Sequence, residues 1–314
     1  MARPPVNART RRVAWPSVST RRAAVLAVVL VAVGTAAACA RPAADERAFN
    51  GAAKVWRDLR YLGTSPNQRL DVFVPNDQPS PPPVVVYVHG GGWMMLRKEN
   101  AQLSFAPFLS TGWAVANVEY RRGFEATAPA AVVDVRCAVK WVVRHSAEHG
   151  VDASRLVLVG ESAGAHLVMM AAFADSTAGF DAACPGPMPA VAGIVNWMGV
   201  TDVSDLLAGP NARGWATGWI GVLPGAEARA QLVSPLRWVR AGLPPVLTVH
   251  GDRDGTVPYA HATRLHAALA SAGVAAELHT LPGGDHGAFG PSAGASAWSA
   301  VLRFLAQRSG AGTP

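Results

Sequence analysis

A serine flanked by glycines is the residue of this sequence best suited to covalent chemistry. Ser162 lies in Gly160-Glu161-Ser162-Ala163-Gly164, after the apolar residues 156–159 and before residues 165–174, which are rich in Ala, Leu and Met. The first run predicts a buried parallel strand and the second predicts a helix. A sharp turn between them exposes the hydroxyl at a helix N-terminus, where backbone N–H groups favour negative charge. The alternative is a glycine-rich turn with a capping serine.

The base and the acid that would activate Ser162 are predicted in two later loops. A serine hydroxyl needs a base within hydrogen-bond reach, and the base needs an acid that orients it. His286 lies in a glycine-rich loop after the last predicted strand, where a mobile base belongs. Asp254 and Asp252 both follow the preceding strand, and Asp254 lies further into that loop. We expect Asp254 to be the acid, and Asp252 to cap the turn or to pair with Arg253.

Four other histidines are assigned structural positions. His261 and His266 fall on a predicted helix, where solvent exposure is the default expectation. His279 falls within a predicted strand. His89 precedes the serine, which is out of order for a base in this arrangement, so we expect it to hold its loop by hydrogen bonding.

A second glycine-rich loop is a candidate for stabilising negative charge. The apolar residues 84–88 predict a central strand, and His89-Gly90-Gly91-Gly92-Trp93 follows directly. Successive glycines leave backbone N–H groups uncovered and allow a close approach to a ligand. This position, just after a central strand and upstream of the serine turn, is where part of an oxyanion hole is expected. The alternative is a flexible loop.

The elements that position these loops alternate between strand and helix. Strands are predicted over residues 55–62, 70–74, 84–88, 113–118, 156–159, 191–195, 246–249 and 275–280. Helices are predicted over residues 103–109, 128–149, 165–174, 258–272 and 291–307. The alternation predicts an α/β fold with a doubly wound, mostly parallel sheet.

Three details refine this assignment. The strands over 55–62 and 70–74 alternate apolar and polar residues, as half-exposed antiparallel strands do. Residues 152–155 are expected to form a turn into the serine strand. Residues 203–240 lose regular periodicity, and we interpret them as a short cap inserted over the sheet of a single domain that spans residues 54–310.

The basic charge of the chain is concentrated at its N-terminus. The net charge is +7, but residues 1–38 carry six arginines and no acidic residue, so 22 basic residues face 21 acidic ones in the remainder. Nucleic-acid binding is therefore not expected. An Arg-Arg pair at 21–22 followed by the uncharged residues 23–38 is similar to a twin-arginine export signal. We expect residues 1–40 to be a signal peptide or membrane anchor and residues 41–53 to be a linker.

The three cysteines fit an exported protein. Ala36-Ala37-Ala38-Cys39 resembles a lipoprotein cleavage box with Cys39 as the lipidated residue, although leucine is usual at position 36. Cleavage after Ala38 or Ala40, an uncleaved anchor, and a disordered tail on a cytosolic enzyme are the alternatives. The expected location is the cell membrane, as a tethered lipoprotein, or the exterior, as a secreted protein. In an oxidising compartment Cys137 and Cys184 could pair, and two free buried thiols are an equal alternative.

The glycine loop, the serine turn, the acid loop and the His286 loop together resemble the α/β-hydrolase superfamily. Within it the chain is similar to hormone-sensitive-lipase-like and feruloyl-esterase-like carboxylesterases over residues 50–310. The resemblance implies an α/β-hydrolase fold, with Ser162 as nucleophile, His286 as base and Asp254 as acid. It also implies an oxyanion hole formed by the backbone N–H groups of Gly91, Gly92 and Ala163. The chain has little room for the N-terminal helical cap usual in hormone-sensitive-lipase-like enzymes, which leaves the subfamily open.

The predicted function is hydrolysis of small to medium acyl or aryl esters through an acyl-enzyme, with no metal and no cofactor. An amidase, formamidase or peptidase with the same three residues is the first alternative, and a tethered binding protein on an inactive hydrolase fold is the second. Trp93 and Trp197 are candidate substrate-binding residues, with packing in the cap as the alternative. The expected partner is a small-molecule ester, with a membrane tether through the N-terminus or Cys39.

Overall fold

A single mixed sheet with helices on both faces organises the part of the chain that the computed structural model describes, residues 52–309. The predicted targeting segment and Cys39 lie outside these residues. The strands are β1 (Ala53–Arg60), β2 (Arg69–Pro75), β3 (Pro83–Val88), β4 (Ala114–Val118), β5 (Asp152–Glu161), β6 (Gly193–Trp197), β7 (Val246–Gly251) and β8 (Ala276–Leu281). Their order across the sheet is β1-β2-β4-β3-β5-β6-β7-β8. The pairs β1–β2 and β2–β4 are antiparallel and all later pairs are parallel, as predicted.

The helices cover both faces of the sheet. The α-helices are α1 (Gln102–Ser110), α2 (Ala130–Arg144), α3 (Ser146–His149), α4 (Ala163–Phe173), α5 (Gly214–Ile220), α6 (Ala226–Leu232), α7 (Ala260–Ser271) and α8 (Pro291–Ala306). Within residues 52–309, no helix is both long enough and apolar enough to cross a membrane.

The central strand β3 is apolar throughout because both of its faces are covered. Val84, Val86 and Val88 belong to one core cluster, which also contains Val135 of α2 and Leu167 of α4. Val85 and Tyr87 belong to the opposite cluster, which also contains Phe105 of α1 and Val301 of α8. A strand buried on two faces loses the alternation that marks a half-exposed strand.

Two sequence-based expectations about the elements are wrong in detail. The helix expected over 128–149 is divided, because the side chains of His145 and Ser146 bond to the carbonyl oxygens of Trp141 and Val143 and compete with helical hydrogen bonding. Residues 152–155 extend β5 rather than forming a turn. Residues 203–240 contain the regular helices α5 and α6, whose seven-residue length is too short for a clear periodicity.

The strand β2 is buried although its sequence alternates. Asp71 is fully buried, and both of its carboxylate oxygens accept hydrogen bonds from Lys98 Nζ, at 2.8 and 2.7 Å. Lys98 is itself buried, so each charge provides the partner that the other needs in the interior. Asp71, the polar residue that suggested an exposed strand, is thus one partner of a buried ion pair.

Cys137 and Cys184 form a disulfide. Cys137 lies on α2, and Cys184 lies in the segment between α4 and β6, 47 residues further along the chain. The same segment is bound to α2 by two ion pairs, because Asp181 accepts from Arg136 at 2.7 Å and from Lys140 at 2.6 Å. The cross-link and the ion pairs therefore hold one long connection against α2.

Replacing both cysteines with serine is expected to lower the free energy of unfolding by about 2–5 kcal/mol, because the cross-link restricts the unfolded chain. Urea denaturation followed by tryptophan fluorescence measures the change. The wild-type protein with a reducing agent is the matched control and should unfold at the urea midpoint of the double variant. An unchanged midpoint in both samples would show that the cross-link adds no stability.

Candidate active site

The turn that carries Ser162 is shaped by two glycines with no room for a side chain. A Cβ on Gly160 would lie 2.6 Å from the nitrogen of Ala165, and a Cβ on Gly164 would overlap the carbonyl oxygens of Val88 and His89. Helix α4 therefore begins in direct contact with the end of β3. Ser162 itself has φ +53°, a left-handed conformation that is uncommon for a residue with a side chain. Its N–H donates to the carbonyl oxygen of Trp197 at 2.8 Å, which fixes the turn to β6.

The structure brings Ser162, His286 and Asp254 into one hydrogen-bonded line. His286 Nε2 lies 2.9 Å from Ser162 Oγ, and His286 Nδ1 lies 2.7 Å from Asp254 Oδ2. An ionised carboxylate only accepts hydrogen bonds, so Nδ1 carries the proton and Nε2 is the acceptor. The serine hydroxyl therefore donates to Nε2, which is the arrangement required for proton transfer from serine to histidine.

The carboxylate of Asp254 accepts three hydrogen bonds and also lies beside His250, whose Nε2 is hydrogen-bonded to the carbonyl oxygen of Val257. Oδ1 accepts from the backbone N–H groups of Thr256 and Val257, each at 2.8 Å. Oδ2 accepts from His286, and His250 Nε2 lies 3.1 Å from the same oxygen. Burial would raise the pKa of Asp254, but the hydrogen bonds from His250 and His286 outweigh it and hold the pKa far below its ordinary value. The acid is thus ionised across the range in which histidine titrates.

The loops that carry the acid and the base are joined by reciprocal hydrogen bonds. Asp252 Oδ1 accepts from the N–H of Gly283 at 2.6 Å, and Asp285 Oδ1 accepts from the N–H of Gly255 at 2.9 Å. Asp285 also accepts from the N–H of His286 at 2.7 Å. The backbone hydrogen bonds to Asp285, that from Gly255 foremost, lower the pKa of this exposed carboxyl. Asp252 therefore caps a turn, as one expectation had it, but the turn belongs to the opposite loop.

The glycine loop lies against the serine turn. The Cα of Gly90 faces the turn so closely that an added Cβ would be 3.3 Å from Ser162 Cβ. Gly91 and Gly92 have φ of +107° and +59°, and a side chain at Gly91 would overlap the carbonyl group of Met95. Within residues 52–309, neither N–H group of this glycine pair donates a hydrogen bond to the chain. The third expected donor, the N–H of Ala163, belongs to the first residue of α4.

His89 helps to hold the glycine loop in place. Its Nδ1 lies 2.8 Å from the carbonyl oxygen of Gly90, and its ring stacks on Tyr120 with 4.5 Å between the ring centres. Both side chains are buried, and Tyr120 Oη donates to the carbonyl oxygens of His89 and Gly90 at 3.2 Å. The expected role of His89 in holding its loop agrees with these contacts.

Trp93 has the packing role that the sequence left as an alternative, and the expectation that it lines an open substrate pocket is not supported. Its side chain is fully buried and stacks on Trp219 of α5, with 4.1 Å between the ring centres. Its Nε1 donates to His166 Nδ1 at 3.2 Å, and His166 Nε2 lies 2.6 Å from the carbonyl oxygen of Val233. His166 therefore joins the glycine loop, α4 and the segment 203–240.

Trp197 lies at the other side of the serine turn. Its ring neighbours Trp298 and Phe289, with centre-to-centre distances of 5.5 and 6.4 Å. Phe289 follows His286 by three residues and is only partly buried. Trp197 is only 7% exposed and belongs to a core cluster, so most of its ring has a packing role. Its carbonyl oxygen adjoins the serine turn, and substrate contact by its side chain stays a prediction.

Several residues of the site were not predicted. His261 is buried rather than exposed, because Thr201 N–H donates to its Nδ1 at 3.1 Å from the segment after β6. Arg213 donates to the carbonyl oxygens of Thr256 and Gly255 at 3.1 and 2.9 Å, and so ties the segment 203–240 to the acid loop. Of these residues, only Asp285 could have been suspected from the sequence, because it directly precedes His286.

Comparison with known proteins places the chain in a family. The family model described as BD-FAE matches residues 70–269. The chain belongs to the BD-FAE family. The matched residues 70–269 include Ser162 and Asp254, whereas His286 lies after the matched range in the sequence.

Named relatives of this BD-FAE chain are esterases. It is 29% identical over 215 residues to Esterase LipQ of Mycobacterium tuberculosis, a match that covers 65% of this chain and 50% of LipQ. It is 28% identical over 249 residues to a probable isoprenylcysteine alpha-carbonyl methylesterase, ICMEL1, of Oryza sativa subsp. japonica, which covers 74% of this chain and 57% of that protein. The chain thus spans about half the length of these relatives.

Solved structures similar to the chain share its fold. A truncated carbohydrate esterase from gut microbiota superimposes with a TM-score of 0.69 at 26% identity, covering 82% of this chain and 96% of that one. Esterase 2 of Thermogutta terrifontis, in a form phosphorylated by paraoxon, superimposes with a TM-score of 0.66 at 25% identity, covering 82% of this chain and 94% of that one. The fold of residues 52–309 is therefore an α/β-hydrolase fold.

The neutral state of His166 makes stability depend on pH. Burial lowers the pKa of His166 to about 3. A histidine with an unfolded pKa near 6.5 and a lower folded pKa contributes stability that is present above pH 6.5 and is lost as the pH falls toward the folded value. We expect the free energy of unfolding to fall by about 2 kcal/mol from this group alone between pH 7 and pH 5.

Urea denaturation at pH 7 and pH 5 measures this loss. His166→Gln, whose amide has a donor and an acceptor for the same two partners, should be less sensitive to the pH change by that amount. Equal losses in the variant and the wild type would contradict the assignment.

The reciprocal bonds between the acid and base loops predict a positional effect of Asp285. Asp285→Ala removes the acceptor that holds Gly255 and His286, and a small misplacement of the base slows serine reactions strongly. We expect the rate of Ser162 modification by a fluorophosphonate to fall about tenfold. Asp285→Asn keeps an acceptor oxygen and should stay within about threefold of wild type. If both variants react like wild type, the bonds made by Asp285 do not position the base.

Proposed function

We propose that the chain is a serine carboxylesterase that hydrolyses small to medium acyl or aryl esters. The observation that carries the proposal is the hydrogen-bonded line from Ser162 through His286 to Asp254. It lies beside a glycine loop in which, within the described residues, the N–H groups of Gly91 and Gly92 have no acceptor from the chain. The esterase names of LipQ and ICMEL1 and the carbohydrate esterase structure support ester hydrolysis. Because the chain spans only part of the curated relatives, their substrates are not transferred.

The proposed reaction has two steps. His286 Nε2 takes the proton of Ser162 while Oγ attacks the ester carbonyl carbon, and Asp254 stabilises the imidazolium that forms. The imidazolium then protonates the leaving alkoxide, which departs as the alcohol and leaves an acyl-serine. Water, deprotonated by the same histidine, attacks the acyl carbon. The bond to Ser162 Oγ then breaks, the imidazolium returns its proton to Oγ, and the carboxylic acid is released.

The negative charge on the carbonyl oxygen is the costliest feature of each step. We propose that it is accepted by the N–H groups of Gly91, Gly92 and Ala163. One donor of this kind contributes about 3–4 kcal/mol to the transition state. The two loop donors are supported by their free N–H groups, and the third is supported by its position at the start of α4.

The acyl or aryl part of the substrate is proposed to contact Trp197. This ring and its neighbours Phe289 and Trp298 form an aromatic group close to the serine turn. Aromatic surface of this kind suits an apolar substrate group because its burial is favourable and adds little conformational cost. We propose no substrate contact for Trp93, because its side chain is fully buried.

Hydrolysis of 4-nitrophenyl acetate by the full chain tests the proposal. Ser162→Ala should lower kcat by on the order of 10⁴-fold or more and abolish labelling by a fluorophosphonate. Ser271→Ala, which replaces an exposed serine on α7, is the matched control and should retain wild-type activity.

Two results would contradict it. Equal turnover of 4-nitrophenyl acetate and 4-nitroacetanilide would favour an amidase that uses the same three residues. A wild-type protein that neither hydrolyses the ester nor reacts with the probe would be a binding protein rather than an enzyme.

A further inference from the structure

The peptide groups that carry the two loop donors have no side chain of their own to orient them. Gly90, Gly91 and Gly92 are consecutive, so each peptide plane between them is flanked by two residues without a Cβ. Glycine reaches both signs of φ at little cost, and a peptide plane between two glycines therefore meets little steric resistance to rotation. The direction of the N–H groups of Gly91 and Gly92 must be set by contacts from outside the glycines.

The direction of each N–H group follows from the carbonyl group of the same peptide. In a planar trans peptide the C=O and the N–H point to opposite sides. Within residues 52–309 the cis peptide bond precedes Pro129, so both peptides of the glycine loop are trans. A contact that holds the Gly90 carbonyl thus directs the N–H of Gly91, and a contact that holds the Gly91 carbonyl directs the N–H of Gly92.

The second of these carbonyl groups is held by backbone alone. The carbonyl oxygen of Gly91 accepts from the N–H groups of Met94 and Met95 at 3.1 and 2.9 Å. The N–H of Gly92 therefore points away from the turn that contains these methionines. No side chain is needed to keep this donor in its direction.

The first carbonyl group is held by side chains. The carbonyl oxygen of Gly90 lies 2.8 Å from His89 Nδ1 and accepts from Tyr120 Oη at 3.2 Å. Within the part of the chain that the structure describes, no backbone N–H donates to this oxygen. The N–H of Gly91 therefore owes its direction to an imidazole and a phenol.

Tyr120 is fixed in position and keeps its proton. Its side chain is fully buried just after β4, and its ring stacks on that of His89. Burial raises the pKa of the Tyr120 hydroxyl, so the hydroxyl remains a donor throughout the range in which histidine titrates. The hydroxyl is also within 3.2 Å of the carbonyl oxygen of His89, which places its proton between two consecutive carbonyl groups of the loop.

The imidazole of His89 is held on its other side by Glu119. His89 Nε2 lies 3.4 Å from Glu119 Oε1, and both side chains are buried. Glu119 Oε2 accepts from the N–H of Lys98 at 3.0 Å, so the carboxylate is itself fixed. Since a carbonyl oxygen only accepts, Nδ1 carries the proton that is donated to Gly90. The residues Glu119 and Tyr120, adjacent in the sequence, thus hold the ring and the peptide together.

The peptide that these groups hold lies beside the nucleophile. An added Cβ on Gly90 would lie 3.3 Å from Ser162 Cβ and 3.0 Å from the carbonyl oxygen of Glu161. A rotated peptide would turn the Gly90 carbonyl oxygen, in place of the Gly91 N–H, toward the developing negative charge. An oxygen in that place would repel the charge that a donor stabilises.

We propose that Tyr120 is a positioning residue for the reaction, whose hydroxyl, with the His89 ring, keeps the Gly90–Gly91 peptide turned so that the Gly91 N–H faces the acyl oxygen. This proposal rests on the carboxylesterase function proposed above. It assigns the two loop donors different supports, because the Gly92 N–H is directed by backbone and the Gly91 N–H by side chains.

Tyr120→Phe of the full chain tests the proposal, because it removes the hydroxyl and keeps the ring that stacks on His89. For 4-nitrophenyl acetate, kcat should fall about tenfold, which is less than the loss of a whole oxyanion donor because His89 still holds Gly90. KM should stay within about twofold, since the donor acts mainly in the transition state.

Tyr61→Phe is the matched control. Tyr61 is a buried tyrosine whose Oη donates to the carbonyl oxygen of Glu119 at 2.8 Å, so this variant loses the same kind of bond without touching the glycine loop. Both variants should unfold at similarly lowered urea midpoints, whereas Tyr61→Phe should keep kcat within about twofold of wild type. Equal kcat values for the two variants would show that the Tyr120 hydroxyl has only a structural role.

A sulfur ester separates the donors from the base. Sulfur accepts hydrogen bonds more weakly than oxygen, so the ratio of kcat/KM for 4-nitrophenyl acetate to that for O-(4-nitrophenyl) thionoacetate reports on the donors. Tyr120→Phe should lower this ratio about fivefold. Asp285→Ala, which disturbs the base, should slow both esters alike and leave the ratio unchanged. A ratio that Tyr120→Phe leaves unchanged would overturn the proposal while the esterase function stands.

A crystal structure of the wild-type protein with a trifluoromethyl ketone bound to Ser162 tests the same peptide without a variant. The adduct oxygen should lie within hydrogen-bond distance of the Gly91 nitrogen, with the Gly90 carbonyl oxygen still on Tyr120 Oη. A Gly90 carbonyl that has left Tyr120 would overturn the proposal. A wild-type protein that turns over neither ester would overturn the carboxylesterase function, and this role with it.

Discussion

The contact between the first turn of α4 and the end of β3 is the constraint on which the rest of the site depends. It is possible because Gly164 has no side chain that would meet the carbonyl oxygens of Val88 and His89. Ser162, just before this contact, has a left-handed conformation, and the glycine loop that follows β3 lies next to the serine. One close approach of two backbones therefore sets both the direction of the hydroxyl and the position of the free N–H groups.

The carboxylate of the site is held by donors from its own loop and from the histidine. Both carboxylate oxygens of Asp254 are fully engaged, and one of them is shared by His286 and His250. A buried carboxylate with this many donors has a fixed orientation as well as a fixed charge. His286, which remains partly exposed, lies between this buried acid and the serine and is hydrogen-bonded to both.

Much of this arrangement could be predicted because the relevant signals are local. The parallel strands are continuous apolar runs, and the loops that follow them contain Ser162, Asp254 and His286 in the order that the fold requires. The glycine motifs also identified the steric contact, since only a missing Cβ allows so short a distance. The predicted family and the predicted fold are confirmed by the match to BD-FAE and by the similar structures.

The errors arise where a residue finds its partner far away in the sequence. Asp71 suggested an exposed strand position because Lys98, which neutralises it, is 27 residues distant. His261 suggested a solvent-facing helix position because its partner Thr201 belongs to another element. Trp93 suggested an open aromatic pocket because burial beneath Trp219 depends on how the segment 203–240 folds back. No periodicity within a short window carries this information.

The division of labour between the loops has a consequence for how new specificity can arise. The loops of Asp254 and His286 hold each other through hydrogen bonds to the side chains of Asp252 and Asp285. The segment 203–240 touches this pair mainly through backbone carbonyls that Arg213 contacts. Exchange of that segment between homologous enzymes, with its arginine retained, would therefore alter which molecules reach the serine while the proton-transfer machinery is inherited unchanged.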